Sequence, residues 1–300
     1  MYDIIIIGAG TAGLSAAIYG LRAGKTVLVL EEKNYGGQII NTPEVENYPG
    51  IKNISGFEFA TNLYEQAIAL GAKVVYEKAE GIVNSVDTKK VITSSKEYEG
   101  RSVIIATGAK NRPLGLPREK ELIGAGVSYC ATCDGAFFRG KDVAVVGGGN
   151  TALEDASFLS NYCNKVYLIH RRNEFRGENK LVEKLSAKDN VEFVMDSKVV
   201  ALHGDNRLEA ITVENVKTGA SKSLEVSGIF VAIGQMPSNE AFGELIDLDD
   251  LGYVCATEDC TTKVDGIFTA GDCRTKAVRQ LTTAAADGAV AGLRASEYVG

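Results

Sequence analysis

The chain opens on an unbroken apolar run, Ile4-Ile5-Ile6-Ile7, that stops at glycine. So short a run, β-branched throughout and closed by a turn residue, reads as a buried strand over residues 2–7. Gly8 to Gly13 then predicts a tight turn, Leu14 to Ala23 a helix, and Thr26 to Leu30 a second strand. The order returns about 140 residues later, as strand Asp142 to Val146, turn Gly147 to Ala152, helix Leu153 to Tyr162 and strand Lys165 to Ile169. A repeated strand, glycine turn, helix and strand predicts an α/β chain. Its two Rossmann-like, doubly wound, three-layer nucleotide-binding domains arise most simply by duplication.

Two further runs, Ser102 to Gly108 and Ser227 to Gly234, read as strands ending at glycine, and proline comes within a few residues of each, Pro113 and Pro237. Proline disfavours helix continuation, so the chain is expected to cross between domains at these points. Gly266 to Asp272 gives another short strand ending in glycine and an acid, and small residues from about Thr282 to Leu293 predict a helix. This tail is too short to fold alone. The organisation expected is residues 1–113 and 240–300 as one domain, with residues 114–239 inserted as the second.

Composition narrows the function. The 300 residues leave room for two domains. A net charge of −7 gives no support for nucleic acid or an anionic membrane as a bulk partner, so any basic function is local. No run approaches the roughly 18 apolar residues of a membrane span, and Met1-Tyr2-Asp3 offers no basic leader, so a cytoplasmic chain is expected. Six cysteines are too sparse for a disulfide scaffold. Only Cys130 and Cys133 form a close pair; Cys163, Cys255, Cys260 and Cys273 read as core or incidental thiols, and His203 as a surface-loop residue without a role.

The two glycine turns lead into strands that end in different chemistry. In Gly8-x-Gly10-x-x-Gly13 the first glycine permits the turn, the second admits a pyrophosphate, and the third lets helix pack close to strand. Glu31, at the end of the next strand, is placed to bind ribose hydroxyls. The second turn, Gly147-x-Gly149-x-x-Ala152, ends in alanine, an accepted variant, and its next strand runs into His170-Arg171-Arg172 with Arg176 beyond. An acid there would repel a 2′-phosphate, whereas forked guanidiniums bind it, so this site predicts NADPH. His170 reads as a local hydrogen-bonding residue.

Cys130-Ala131-Thr132-Cys133 admits three uses. Zinc would need two further ligands, and no second CxxC or HxxxH exists. A structural bridge closing so small a loop would add little stability. Redox use remains. At a helix start, amide dipoles would lower a thiolate pKa, and the adjacent Asp134 could shuttle the proton of thiol exchange or, alternatively, cap the helix.

Together these motifs resemble the low-molecular-weight thioredoxin reductases over essentially the whole chain. The similarity runs through Gly8-Ala9-Gly10, Gly36-Gly37-Gln38, Glu46-Asn47-Tyr48-Pro49-Gly50, Cys130 to Asp134, and Gly147 to Ala152 with Asn150-Thr151. It continues through His170 to Arg176 and ends in Ala270-Gly271-Asp272 and Arg279-Gln280-Leu281. The resemblance implies FAD held by the Gly8 turn, the segment from Glu31 to Gln38, and Asp272 to Leu281, with NADPH on Gly147 to Ala152 and the three arginines. It also implies a homodimer whose domains rotate, with electrons passing from NADPH through FAD and the dithiol to thioredoxin or a thioredoxin-like protein. In that scheme Cys133 lies against the flavin, Cys130 attacks the acceptor disulfide, and Asp134 protonates the leaving thiolate. A ferredoxin-fed relative would lack the arginines, and a dithiol oxidase would not need them. A reductase serving a peroxidase is harder to separate on motifs, and a nucleotide sensor with a vestigial dithiol is separated only by turnover.

Overall fold

The chain begins with β1 (Tyr2–Ile7), α1 (Thr11–Arg22) and β2 (Val27–Glu31), and continues through α2 (Gly56–Ala69), β3 (Lys73–Tyr76), β4 (Ala79–Asn84), β5 (Lys89–Thr93), β6 (Glu97–Ile105) and β7 (Ala109–Asn111). Next come β8 (Val127–Ser128), α3 (Ala131–Asp134), β9 (Asp142–Val146), α4 (Asn150–Leu159), β10 (Lys165–Ile169), α5 (Asn179–Ser186) and β11 (Val191–Val194). Then come β12 (Ser197–His203), β13 (Ala210–Asn215), β14 (Ser221–Glu225), β15 (Gly228–Val231), β16 (Gln235–Pro237), β17 (Ile267–Thr269) and α6 (Leu281–Val299). The computed structural model describes residues 1–42, 44–85 and 88–300. It divides into two units, Met1–Lys110 with Met236–Gly300, and Asn111–Gln235.

In the first unit the opening apolar run is the middle of a sheet ordered β3-β2-β1-β6-β5-β4. β1 is parallel to β2 and β6, which is why its isoleucines are covered on both faces. The faces still alternate. Ile4 and Ile6 pack with α1 and α6 residues such as Leu14 and Ala291, while Ile5 and Ile7 pack with Phe242 and Ile246. β6 is long enough to serve further neighbours, pairing antiparallel with β5 through its first residues and parallel with β17 through its last three.

α6 returns the tail to this sheet. Its first turn is secured by a capping box between Gln280 and Thr283. Small residues then let it lie against α1: a Cβ on Gly288 would stand 2.2 Å from the Ala12 carbonyl oxygen, and one on Gly292 would stand 2.6 Å from that of Ala16. Ser15 Oγ donates to Ala285 O at 2.7 Å across the same contact.

The second unit repeats the plan with a sheet ordered β11-β10-β9-β15-β8, parallel throughout. Val143 and Val145 face α4, packing with Leu153, Ala156 and Leu159. Ala144 and Val146 face the other way, toward Val199, Ile211 and Val213 of the antiparallel sheet β12-β13-β14, which forms the third layer here. Hydrophobic alternation names the buried positions but not what covers them.

Several boundaries differ from the sequence reading, among them α4, which ends at Leu159 rather than Tyr162. Both motif helices begin earlier, at Thr11 and Asn150, because the turn needs only its first three residues and Gly10 and Gly149 already serve as N-caps. α6 runs on to Val299, since its small residues continue to pack on α1. His203 is exposed as expected, but it ends strand β12 and hydrogen-bonds Thr212 Oγ1 at 2.6 Å rather than lying in a loop. No helix among the described residues is long and apolar enough to cross a membrane.

Stability measurements at two positions test this packing. Gly288→Val should destabilise the protein by about 1–3 kcal/mol in urea denaturation, because the new side chain meets helix backbone that cannot move aside. Asp155 on α4 is pushed up from 3.8 to about 7 by burial, with Glu154 adding to the shift. The folded state therefore holds a proton that the unfolded state has released, and stability falls as pH rises from about 4 to about 7. Asp155→Asn should melt higher than the parent above pH 7, with the difference vanishing toward pH 4.

Candidate functional site

Cys130 and Cys133 are joined as a disulfide, with Cα atoms 5.3 Å apart. α3 starts on this pair with Cys130 as its N-cap and closes one turn through Asp134 N–H donating to Cys130 O at 3.1 Å. Both cysteines are half-buried, while Thr132 between them is exposed. Asp134 does not cap the helix with its side chain. Its Oδ2 instead accepts the Ser128 hydroxyl at 2.6 Å. Burial raises the Asp134 pKa and the Ser128 hydrogen bond opposes that rise.

The strand entering this helix is anchored separately. The buried carboxylate of Glu119 accepts the Tyr129 hydroxyl at 2.7 Å and the amides of Leu114, Gly115 and Leu116. Burial, then the bond to Glu119, drives the Tyr129 phenol well above its ordinary value. Neither Ser128 nor Glu119 was legible, because no spacing rule ties a hydroxyl or a loop acid to a CxxC.

The first glycine turn is closed by backbone contacts. A Cβ on Gly8 would stand 2.3 Å from Ala106 O, and one on Gly13 would stand 1.8 Å from Gly8 O. Gly10 has space at its missing Cβ, with only Gly37 Cα nearby at 3.9 Å. Glu31 ends β2 and turns its carboxylate back, accepting Ala9 N–H at 2.8 Å and Lys33 N–H at 2.9 Å. Gln38 donates to Ala109 O.

The C-terminal segment adds two acids of opposite character. Asp287 on α6 was not anticipated. It accepts Arg274 through both oxygens, Lys276 Nζ at 2.9 Å and Gly271 N–H at 3.0 Å. Burial pushes Asp287 upward, but the bonds from Arg274 and Lys276 outweigh it and hold the carboxyl below its usual value. Asp272, one residue beyond Gly271, is raised by burial, with Lys276 and Arg279 pulling it down only in part. Its Oδ1 is buried without a hydrogen-bond partner among the described residues. Arg279 lies 4.1 Å over the Tyr253 ring and donates to Asp272 O and Arg274 O. Gln280 precedes Leu281 at the head of α6 and accepts Asn47 Nδ2 at 3.2 Å.

The second turn is built alike. A Cβ on Gly147 would stand 2.3 Å from Ala232 O and 2.7 Å from Ala152 Cβ, whereas Gly149 faces open space at the head of α4. Asn150 pins the loop at Glu178, accepting its N–H at 2.8 Å, while Thr151 is exposed. Arg176 N–H and Gly177 N–H both donate to Gly148 O, which folds the arginine segment back onto the turn. The Arg171, Arg172 and Arg176 side chains are exposed and form no ion pair among the described residues. His170 is buried and stacked on Phe175 at 5.5 Å, with Nε2 unpartnered among the described residues. Burial lowers its pKa, a backbone hydrogen bond at Glu174 opposes that in part, and the three arginines add to the lowering, so the environment favours the neutral ring.

The chain matches the pyridine nucleotide-disulphide oxidoreductase family over residues 2–288. It is 41% identical over 300 residues to the thioredoxin reductase of Bacillus subtilis (strain 168), covering 100% of this chain and 95% of that protein. A 34.2 kDa protein in the rubredoxin operon of Clostridium pasteurianum is 43% identical over 299 residues, covering 99% of this chain and 97% of that one. The crystal structure of thioredoxin reductase from Streptococcus pyogenes MGAS5005 aligns with a TM-score of 0.94 at 41% identity, covering 99% of this chain and 98% of the other. With its cysteine pair and two glycine turns, the chain belongs to the thioredoxin reductases of the pyridine nucleotide-disulphide oxidoreductase family, flavoproteins that use NAD(P)H.

Proposed function

We propose that this chain takes its electrons from NADPH specifically and passes them through FAD and the Cys130–Cys133 pair to thioredoxin or a thioredoxin-like protein, working as a homodimer in the cytoplasm. The observation that carries the nucleotide choice is an arginine segment, its three side chains exposed and without an ion pair among the described residues, whose backbone folds onto the second glycine turn where the first turn has a carboxylate. Phosphate esters select forked cations, and a carboxylate in that place would repel them.

The first unit fits FAD. Gly10 and Gly37 leave backbone open to a pyrophosphate, Glu31 presents a carboxylate at the ribose end, and the Asp272 oxygen, unpartnered among the described residues, suits a ligand hydroxyl. Arg279, Gln280 and Leu281 bring further groups at the start of α6. Bound FAD supplies the chemistry that joins a nicotinamide hydride to the reduction of a disulfide. The second unit fits NADPH, with Gly147, Gly149 and Ala152 shaping the phosphate turn and Asn150 and Thr151 at the helix start. Neutral His170 fills the floor beside Arg171, Arg172 and Arg176 without adding charge.

The exchange step belongs to the chain's own sulfurs. Two electrons and two protons convert the Cys130–Cys133 disulfide to a dithiol. Cys130 as thiolate attacks the acceptor disulfide, one acceptor sulfur leaves with the electron pair of the broken bond, and Asp134 supplies the proton it needs. Cys133 gives up its proton and attacks Cys130 Sγ, the second acceptor sulfur leaves with the electron pair of the mixed disulfide and takes up a proton in turn, and the internal disulfide re-forms. A carboxyl raised by burial still holds protons where an ordinary aspartate does not, which suits Asp134 to this role.

Cys130→Ser should abolish thioredoxin reduction while NADPH still bleaches the flavin absorbance; sustained turnover in that variant would sink the route. Replacing Arg171 and Arg172 together by alanine should weaken NADPH binding about tenfold or more while leaving NADH binding little changed, since each charged hydrogen bond lost is worth about 1.5–3 kcal/mol. Titration of both nucleotides against the parent and the variant reads this directly, and equal weakening of the two would remove the 2′-phosphate assignment.

A further inference from the structure

Ser128 is buried on the two-residue strand β8, at the centre of three polar neighbours. Its Oγ lies 3.1 Å from Cys130 N, 3.3 Å from Cys130 O and 2.6 Å from Asp134 Oδ2. A serine has one hydrogen to donate and two lone pairs to accept with. Cys130 N–H takes one lone pair in every case, which leaves one hydrogen and one lone pair to share between Cys130 O and Asp134.

That remainder has two complete solutions. When Asp134 is ionised, the Ser128 hydroxyl donates to Oδ2, and the separation matches the roughly 2.5–2.7 Å of a hydroxyl on a carboxylate. When Asp134 is protonated, its own O–H donates to Ser128 Oγ, and the serine turns its hydrogen to Cys130 O. Both solutions pair the buried groups, and only hydrogens move between them.

We propose that Ser128 is the positioning residue for the acid of the dithiol, a hydroxyl that reverses direction as Asp134 gains or loses its proton and ties that carboxyl to the Cys130 backbone throughout. The proposal rests on the reading of Asp134 as the proton donor. One O–H bond breaks at Asp134 and one S–H bond forms on the departing thiolate, which keeps the electron pair of the cleaved S–S bond. Ser128 turns but retains its own proton. A rigid donor such as a backbone amide could not accept the O–H of the protonated acid, and a carbonyl could not donate to the charged one.

The surroundings leave this role to Ser128. α3 packs on α4 and on the turn Gly135–Phe138. The titratable groups on and beside those elements are Glu154 and Asp155 of α4, Arg139, Tyr162 and Cys163, whose charges bear on one another rather than on Asp134. Burial and the Ser128 bond are what act on Asp134.

The test compares Ser128→Ala, Ser128→Thr and Asp134→Asn holoenzymes, tracking thioredoxin turnover against pH alongside bleaching of the flavin by NADPH. In Ser128→Ala the limb set by Asp134 should move to higher pH and turnover at its alkaline end should change, with flavin bleaching at the parent rate; Ser128→Thr should restore the parent profile. An unshifted limb in Ser128→Ala, or an equal shift in Ser128→Thr, overturns the proposal. Asp134→Asn separates the two failures. Parent-like turnover there removes the acid itself, whereas slow turnover there with an unshifted Ser128→Ala profile removes Ser128 alone. If Ser128→Ala does not fold, Ser128→Thr and Ser128→Val, alike in shape and differing by one hydroxyl, carry the same comparison.

Discussion

A backbone-to-backbone contact at the end of a central strand sets the geometry of both units. Gly8 N–H donates to Leu30 O at 2.7 Å, and the carbonyl of Ala106, just past β6, occupies the place where a Gly8 side chain would begin. In the second unit Gly147 N–H donates to Ile169 O at 3.1 Å, and the carbonyl of Ala232, just past β15, stands in the same relation at the same 2.3 Å. Ala106 N–H and Ala232 N–H each donate back to the central strand at 2.8 Å. A side chain at either glycine would wedge neighbouring strand ends apart and tilt the next helix, together with the free amides at its head.

From that shared frame the units diverge at one spatial position. In the first, Glu31 at the strand end accepts the amide of Ala9, the residue after the leading glycine. In the second, His170 comes just after the corresponding strand and lies against Gly148, again the residue after the leading glycine. There the imidazole fills the space, and a Cβ on Gly148 would stand 2.2 Å from it. This accounts for the middle glycine, Gly148, in Gly147-Gly148-Gly149, which the nucleotide fingerprint does not require. Exchanging a carboxylate for an imidazole takes negative charge away from this position, and the arginine segment pinned to Gly148 O brings positive charge near it.

Local and periodic features were legible in the sequence, and chain-distant ones were not. β1, β9 and β10 lie where short apolar runs between turn residues put them. Helix starts shifted because a glycine fingerprint overlaps the first helical turn, so residues such as Thr11 and Asn150 belong to both. The antiparallel layer over Ala144 and Val146 was missed because period-two patterning reports burial without naming its partner. Ser128 escaped notice because its importance lies in a hydroxyl-to-carboxyl distance that α3 creates by turning Asp134 back toward β8. Asp287 escaped for a similar reason, since its partners lie 11 to 16 residues earlier along the chain and meet it only when α6 docks.

The two C-terminal acids, Asp272 in the turn Gly271–Cys273 and Asp287 on α6, meet the same burial with opposite outcomes. Desolvation acts on Asp272 and Asp287 alike. Asp287 receives a bidentate arginine, a lysine and an amide, so it stays charged and fixes the Gly271–Lys276 segment from the α6 side. With Lys276 committed to Asp287 and the Arg279 side chain turned to backbone carbonyls and the Tyr253 ring, Asp272 receives cationic charge without a direct ion pair. An acid so placed keeps a buried oxygen able to accept from a ligand hydroxyl. Had the arginine or the lysine paired with Asp272 instead, the site would have lost that acceptor, and Asp287 would have become an unpaired buried charge, costly to leave in the helix contact.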